Sequence, residues 1–165
     1  MKSLIILRYL LALALAFPNL ALFYLMFTPL TIYPSYLLIN ILFPATLQGN
    51  AIITQSGTIA LIDSCIAGSA YYLLLMLNLF TPMGLKKRIS GILFSFGSFL
   101  VVNIIRIVIF SLLFFSGFPY FNPIHLIFWY SVSTLLVVGI WIAEVSLLKI
   151  KEIPLFSDIK ILLKK

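Results

Sequence analysis

A lone cysteine, a lone histidine and an arginine inside a long apolar run are the residues of this chain best suited to chemistry: Cys65, His125 and Arg106. A thiol becomes a good nucleophile where a cation or a helix N-terminus favours its thiolate. A neutral imidazole carries protons between a thiol and a leaving amine, and a guanidinium offers a planar set of donors to an oxyanion. Together the three suit acyl transfer through a thioester. Asn103, one turn before Arg106, either orients that side chain or bonds between helices. Asp63 either orients His125 or caps the helix that Cys65 opens. A single cysteine excludes an intrachain disulfide, so the thiol is either reactive or a small packed hydrophobe.

Positioning these groups falls to helices in a bilayer. The 165 residues are 63% hydrophobic and 9% charged, against about 25% charged in an average soluble domain. The net charge of +7 does not signal nucleic-acid binding, because the basic residues form short clusters between apolar runs and not a stripe on a polar domain. They read instead as topology signals that mark the cytoplasmic face. One Cys, one His and few carboxylates give no clustered ligand set, so neither a metal nor an organic cofactor is expected.

The expected architecture is an all-α polytopic helical bundle of about four transmembrane helices, residues 4–27, 65–81, 89–116 and 123–148, within a single transmembrane domain over 1–150. The first apolar run exceeds the roughly 20 residues a span requires. It carries Pro18 as a kink, and a cleaved signal peptide is the rival reading because Ala12-Leu13-Ala14 and Ala14-Leu15-Ala16 resemble cleavage sites. Residues 29–44 are short and interrupted by Pro34, and read as an outer interfacial or re-entrant segment. Charge parity agrees: were they a separate span, Lys2 and Lys86-Lys87-Arg88 would face opposite sides. Residues 45–63 hold turn signals and β-prone runs at 51–54 and 58–62, a small outer hairpin.

Ser64 or Asp63 should cap a helix starting at Cys65, and Asn122 with Pro123 should place His125 in the first turn of the last helix. Trp129 and Tyr130 read as outer interface aromatics and Trp141 as an inner one. Gly91, Ser95, Gly97 and Ser98 suit close helix packing. Glu144, near Lys149, is expected to reach the inner headgroups, and residues 151–165 to lie on the cytoplasmic leaflet as an amphipathic tail.

Over roughly 28–143 the chain resembles the exosortase/archaeosortase family of membrane cysteine transpeptidases. The resemblance rests on the order of an interfacial segment from Pro29, a hairpin from Gly49 to Ile62, Cys65-Ile66-Ala67-Gly68, a basic loop, Asn103-Ile104-Ile105-Arg106-Ile107 and His125. Many members carry Ser and Gly where this chain has Ile66 and Ala67, and many have more spans. The resemblance implies catalysis by Cys65, Arg106 and His125. Its implied substrates are secreted precursor proteins bearing a C-terminal motif, a membrane helix and a basic cluster. Cleavage would occur at the outer face of the cell membrane, followed by transfer to an amine or lipid-linked acceptor. Two other readings stay open on the residues alone: a non-enzymatic membrane subunit or scaffold, and a thiol acyltransferase acting on lipids.

Overall fold

A computed structural model of the chain describes residues 2–17 and 20–150. The kink expected at Pro18 and the amphipathic tail at 151–165 lie outside the described residues.

The longest element is α5, the 31-residue helix Leu85–Phe115. At 1.5 Å per residue it is about 46 Å long, enough to cross a bilayer steeply tilted. Its buried face includes Gly91, Ser95, Phe99, Asn103, Ile107 and Ser111, a single stripe in steps of four. Small and polar side chains at both ends of that stripe allow close approach and interhelical hydrogen bonding, with Phe99 between them. Against α5 pack α2 (Ala21–Leu42), α4 (Gly68–Phe80) and α7 (Ser133–Leu147).

The first 42 residues differ from the expected span and interfacial segment. A helix α1, Lys2–Ala16, ends before a break at Leu20, which adopts φ 60°, and α2 then continues through Pro29 and Pro34. Proline removes a helical hydrogen bond, but within a bundle neighbouring groups and local adjustment let such a helix persist. The two helices cross the molecule once between them. Arg8 Nη1 donates to Leu79 O at 3.0 Å and Tyr9 stacks on Phe80 at one end; at the other, the Phe43 ring meets Phe115 at 5.6 Å. The parity argument therefore survives for a different reason: α1 begins at the end that carries Lys86-Lys87-Arg88, and residues 29–42 belong to the helix that completes the crossing.

The expected hairpin is a three-stranded antiparallel sheet. It consists of β1 (Ala45–Gln48), β2 (Ala51–Thr54) and β3 (Gly57–Ala60), with Leu47 opposite Ile52 and Ile52 opposite Ile59. Ile52 is fully buried and joins the core, which anchors a sheet too small to stand alone. Tyr71 sits at the centre of that core, stacked on Phe27 and edge-on to Phe96 and Phe99. Gly68 lets α2 approach α4: a Cβ there would lie 2.9 Å from the Tyr24 ring.

At the basic end, cations cover helix C-terminal carbonyls, where the last turns lack internal donors. Lys87 Nζ donates to Leu148 O at 3.1 Å and Arg88 Nη2 to Thr81 O at 3.1 Å. Among the described residues, four helical stretches are long and apolar enough to cross a membrane: Ala21–Leu42, Asp63–Phe80, Leu85–Phe115 and Phe121–Leu147. The architecture is an all-α polytopic bundle with a small sheet at the end opposite the basic loop.

Candidate functional site

Cys65 does not open a long helix. It lies in α3, the four-residue turn Asp63–Ile66, whose cap at Ile62 makes no side-chain hydrogen bond. Ala67 then adopts the left-handed conformation, φ 59°, before α4 begins at Gly68. A non-glycine residue there costs about 1–2 kcal/mol. The break also leaves carbonyls that a continuous helix would have satisfied, and in a bilayer such groups need another donor. Asn103 and Arg106 supply it: Asn103 Nδ2 donates to Cys65 O at 2.9 Å and Arg106 Nη2 to the same oxygen at 3.4 Å.

Arg106 reaches a third element as well. Its Nη1 donates to Ser133 Oγ at 2.9 Å, and that hydroxyl donates in turn to Phe128 O at 3.1 Å. Phe128–Val132 is a π-helical turn between α6 (Phe121–Ile127) and α7. Such turns insert an extra residue into a helix and recur at functional sites. Here the turn leads directly into Ser133, the hydroxyl that meets the guanidinium. The sequence reading missed Ser133; its one signal was a hydroxyl within an otherwise apolar run.

A cavity of about 1080 Å³ opens beside this cluster, lined among others by Tyr24, Asp63, Ser64, Arg106, Trp129 and Ser133. Gln48 and Ala60 of the sheet and Asn50 of its first turn form part of its wall. Trp129, read from sequence as an interface anchor, thus faces the cavity. Cys65 is half-buried next to that wall and packs against the core cluster.

His125 is placed differently from expectation. Helix α6 starts at Phe121 with Tyr120 before it, so His125 lies in the second turn of a seven-residue helix. Its ring stacks on Phe121 at 5.4 Å and meets Phe110 and Trp129 edge-on at 5.1 and 6.1 Å. Among the described residues no hydrogen bond joins His125 to Cys65 or to Asp63. The structure therefore brings Cys65, Asn103 and Arg106 into one bonded group and sets Asp63 on the same cavity, with His125 behind Trp129. A helix dipole lends little at either residue: Cys65 lies in a four-residue turn, and His125 lies in the second turn of its helix, past the first turn where the dipole acts.

Glu144 does not reach the headgroups. It is fully buried, with Oε2 accepting from Asn78 Nδ2 at 3.1 Å.

Fold and site together define a polytopic α-helical membrane protein in which a mid-helix cation is tied to the backbone of a half-buried cysteine beside a cavity. No protein-family model matches the chain, and no curated protein or solved structure does either.

Proposed function

We propose that the chain is a membrane-embedded cysteine transpeptidase of the exosortase/archaeosortase kind. It acts at the sheet end of the bundle, facing outward from the cell membrane. The observation that carries this reading is the union of Arg106 and Asn103 at Cys65, between helices far apart in sequence and next to a cavity. An arginine within a span is costly and usually functional.

In this reading the Cys65 sulfur attacks the carbonyl carbon of a precursor's peptide bond. Arg106 holds the oxyanion, the C–N bond breaks, and His125 passes the proton lost by the thiol to the leaving amine. The acyl group, now a thioester on Cys65, passes to an acceptor amine or lipid-linked nucleophile, which frees the thiol. The substrates are secreted precursors with a C-terminal motif, a membrane helix and a basic cluster. The acidic and polar cavity wall at Asp63, Ser64 and Asn50 would receive the peptide.

The deciding experiment follows precursor processing in cells carrying Cys65→Ala or Cys65→Ser, with insertion checked by membrane fractionation. Precursor should accumulate uncleaved while the variant inserts normally; wild-type processing by Cys65→Ala removes the proposal. Trapping the acyl-enzyme and identifying the attached group separates peptide transfer from acyl transfer to lipid.

A specific observation favours a second reading, a non-enzymatic membrane subunit. The Arg106 guanidinium donates to two protein groups, Cys65 O and Ser133 Oγ, as it would in a helix tie. Thiol labelling from the outer side separates the two: ready modification of Cys65 with an acid-shifted pH profile favours the enzyme, and an inert thiol the subunit.

A further inference from the structure

A second polar cluster lies on the same α5 stripe, at its basic end, and the proposed chemistry does not use it. Glu144 of α7 and Asn78 of α4 are both fully buried and face each other across Gly91 of α5. Asn78 commits both amide hydrogens, one to Leu74 O and one to Glu144 Oε2, each at 3.1 Å. That fixes the orientation of the carboxamide and leaves Asn78 Oδ1 as an acceptor. Asn78 Oδ1 and Glu144 Oε1 are both buried without a hydrogen-bond partner. The two orphan oxygens converge: they are the nearest side-chain oxygens to the point where a Cβ on Gly91 would sit.

Two acceptors facing one another out of reach of water are costly, and one added proton removes the cost at both. We infer that Glu144 and Asn78 form a buried proton-binding site, in which Glu144 Oε1–H donates to Asn78 Oδ1 while Asn78 Nδ2 donates to Glu144 Oε2. The product is a cyclic acid–amide pair that clasps α7 to α4 across α5. Ser95 Oγ also lies within reach of Glu144, but its hydrogen bond runs to Gly91 O at 2.9 Å, and turning it would still leave Asn78 Oδ1 without a donor. Lys86 of α5 is exposed, and three other cations on the packed elements are engaged nearer the basic end. Lys87 is on Leu148 O, Arg88 is on Thr81 O, and Arg8 of α1 is on Leu79 O. Tyr71 and Tyr72, the titratable groups of α4, lie about two turns above Asn78.

Infrared difference spectroscopy on the full chain in lipid bilayers tests the site, because the protein has only four acidic side chains. A protonated carboxylic C=O stretch, sensitive to hydrogen–deuterium exchange, should persist at pH 8 and vanish in Glu144→Gln. No such band in the wild type, or one retained in Glu144→Gln, overturns the inference. Thermal unfolding supplies the independent arm. Gln can reproduce both hydrogen bonds, so Glu144→Gln should melt close to wild type while Glu144→Ala melts well below it. Equal losses in the two variants would also overturn the pairing.

Discussion

Two polar clusters lie along one stripe of α5, and they contrast. The one at Asn103 and Arg106 is half-open: a charge, a broken helix and a π-turn meet beside a cavity. The one at Gly91 and Ser95 is closed: Asn78 and Glu144 are fully buried and a glycine has been required to make room. Both join the α3–α4 segment to α5 and α7. The closed cluster needs every atom satisfied among its own members, since no solvent reaches it. The open cluster tolerates a guanidinium because water in the cavity can share its donors. In a bilayer, a polar group on a cavity is available for chemistry, whereas a sealed one serves helix association or stores a proton.

That contrast can be broken most sharply at Arg106. Arg106→Leu should reduce precursor processing by about 100- to 1000-fold, the usual effect of losing an oxyanion donor. It should also lower stability by about 1–3 kcal/mol through the stranded Cys65 carbonyl. Pulse–chase processing and thermal unfolding in detergent read the two effects separately, and unchanged processing would place the open cluster with the closed one as packing.

Gly91→Ala tests the other end. Its Cβ collides with Glu144 Oε1 and comes within 2.6 Å of Asn78 Oδ1, so stability should fall by about 1–3 kcal/mol. Cys65 should label at the wild-type rate, because the disturbance lies about three turns away along α5.

Ala67→Gly is expected to act in the opposite direction. Relief of the left-handed conformation should stabilise the chain by about 1 kcal/mol. Unfolding midpoints check this; destabilisation would mean that the Ala67 side chain contributes more packing than its backbone costs.

The smallest effect is expected at Ser133→Ala, which removes a partner from Arg106 and one from Phe128 O. A loss of about 0.5–1.5 kcal/mol in stability is expected, with processing reduced less than in Arg106→Leu. Equal processing defects in the two variants would make Ser133 the principal support of the guanidinium.

Much of this molecule was legible in the sequence. Apolar run lengths placed the helices at 65–81, 89–116 and 123–148 close to their observed positions, because lipid demands about 20 apolar residues per span. The clustering of cations placed Lys86-Lys87-Arg88 and Lys149 at one end, and Arg106 stood out as a charge where lipid makes charge costly. The errors fell where a local signal competes with the surroundings. Pro29 and Pro34 looked like breaks, yet a packed helix carries them, and the break at Ala67 has an ordinary helix former at its centre. Glu144 looked like a terminus because its distance along the chain to Lys149 is short, but its depth is set by Asn78 and Gly91, which lie more than fifty residues earlier.

The sequence by itself therefore determined the all-α membrane architecture, the common side of Lys86-Lys87-Arg88 and Lys149, and which side chains are candidates for chemistry, since these depend on length, hydropathy and residue chemistry. Only the tertiary structure decided that Arg106 bonds to the Cys65 carbonyl and Ser133, that His125 sits in an aromatic nest, and that Glu144 is sealed against Asn78. Each of those depends on which helix faces lie together and how deep a side chain ends up. Periodicity along one chain leaves that open, because every amphipathic stripe has several partners that would bury it equally well.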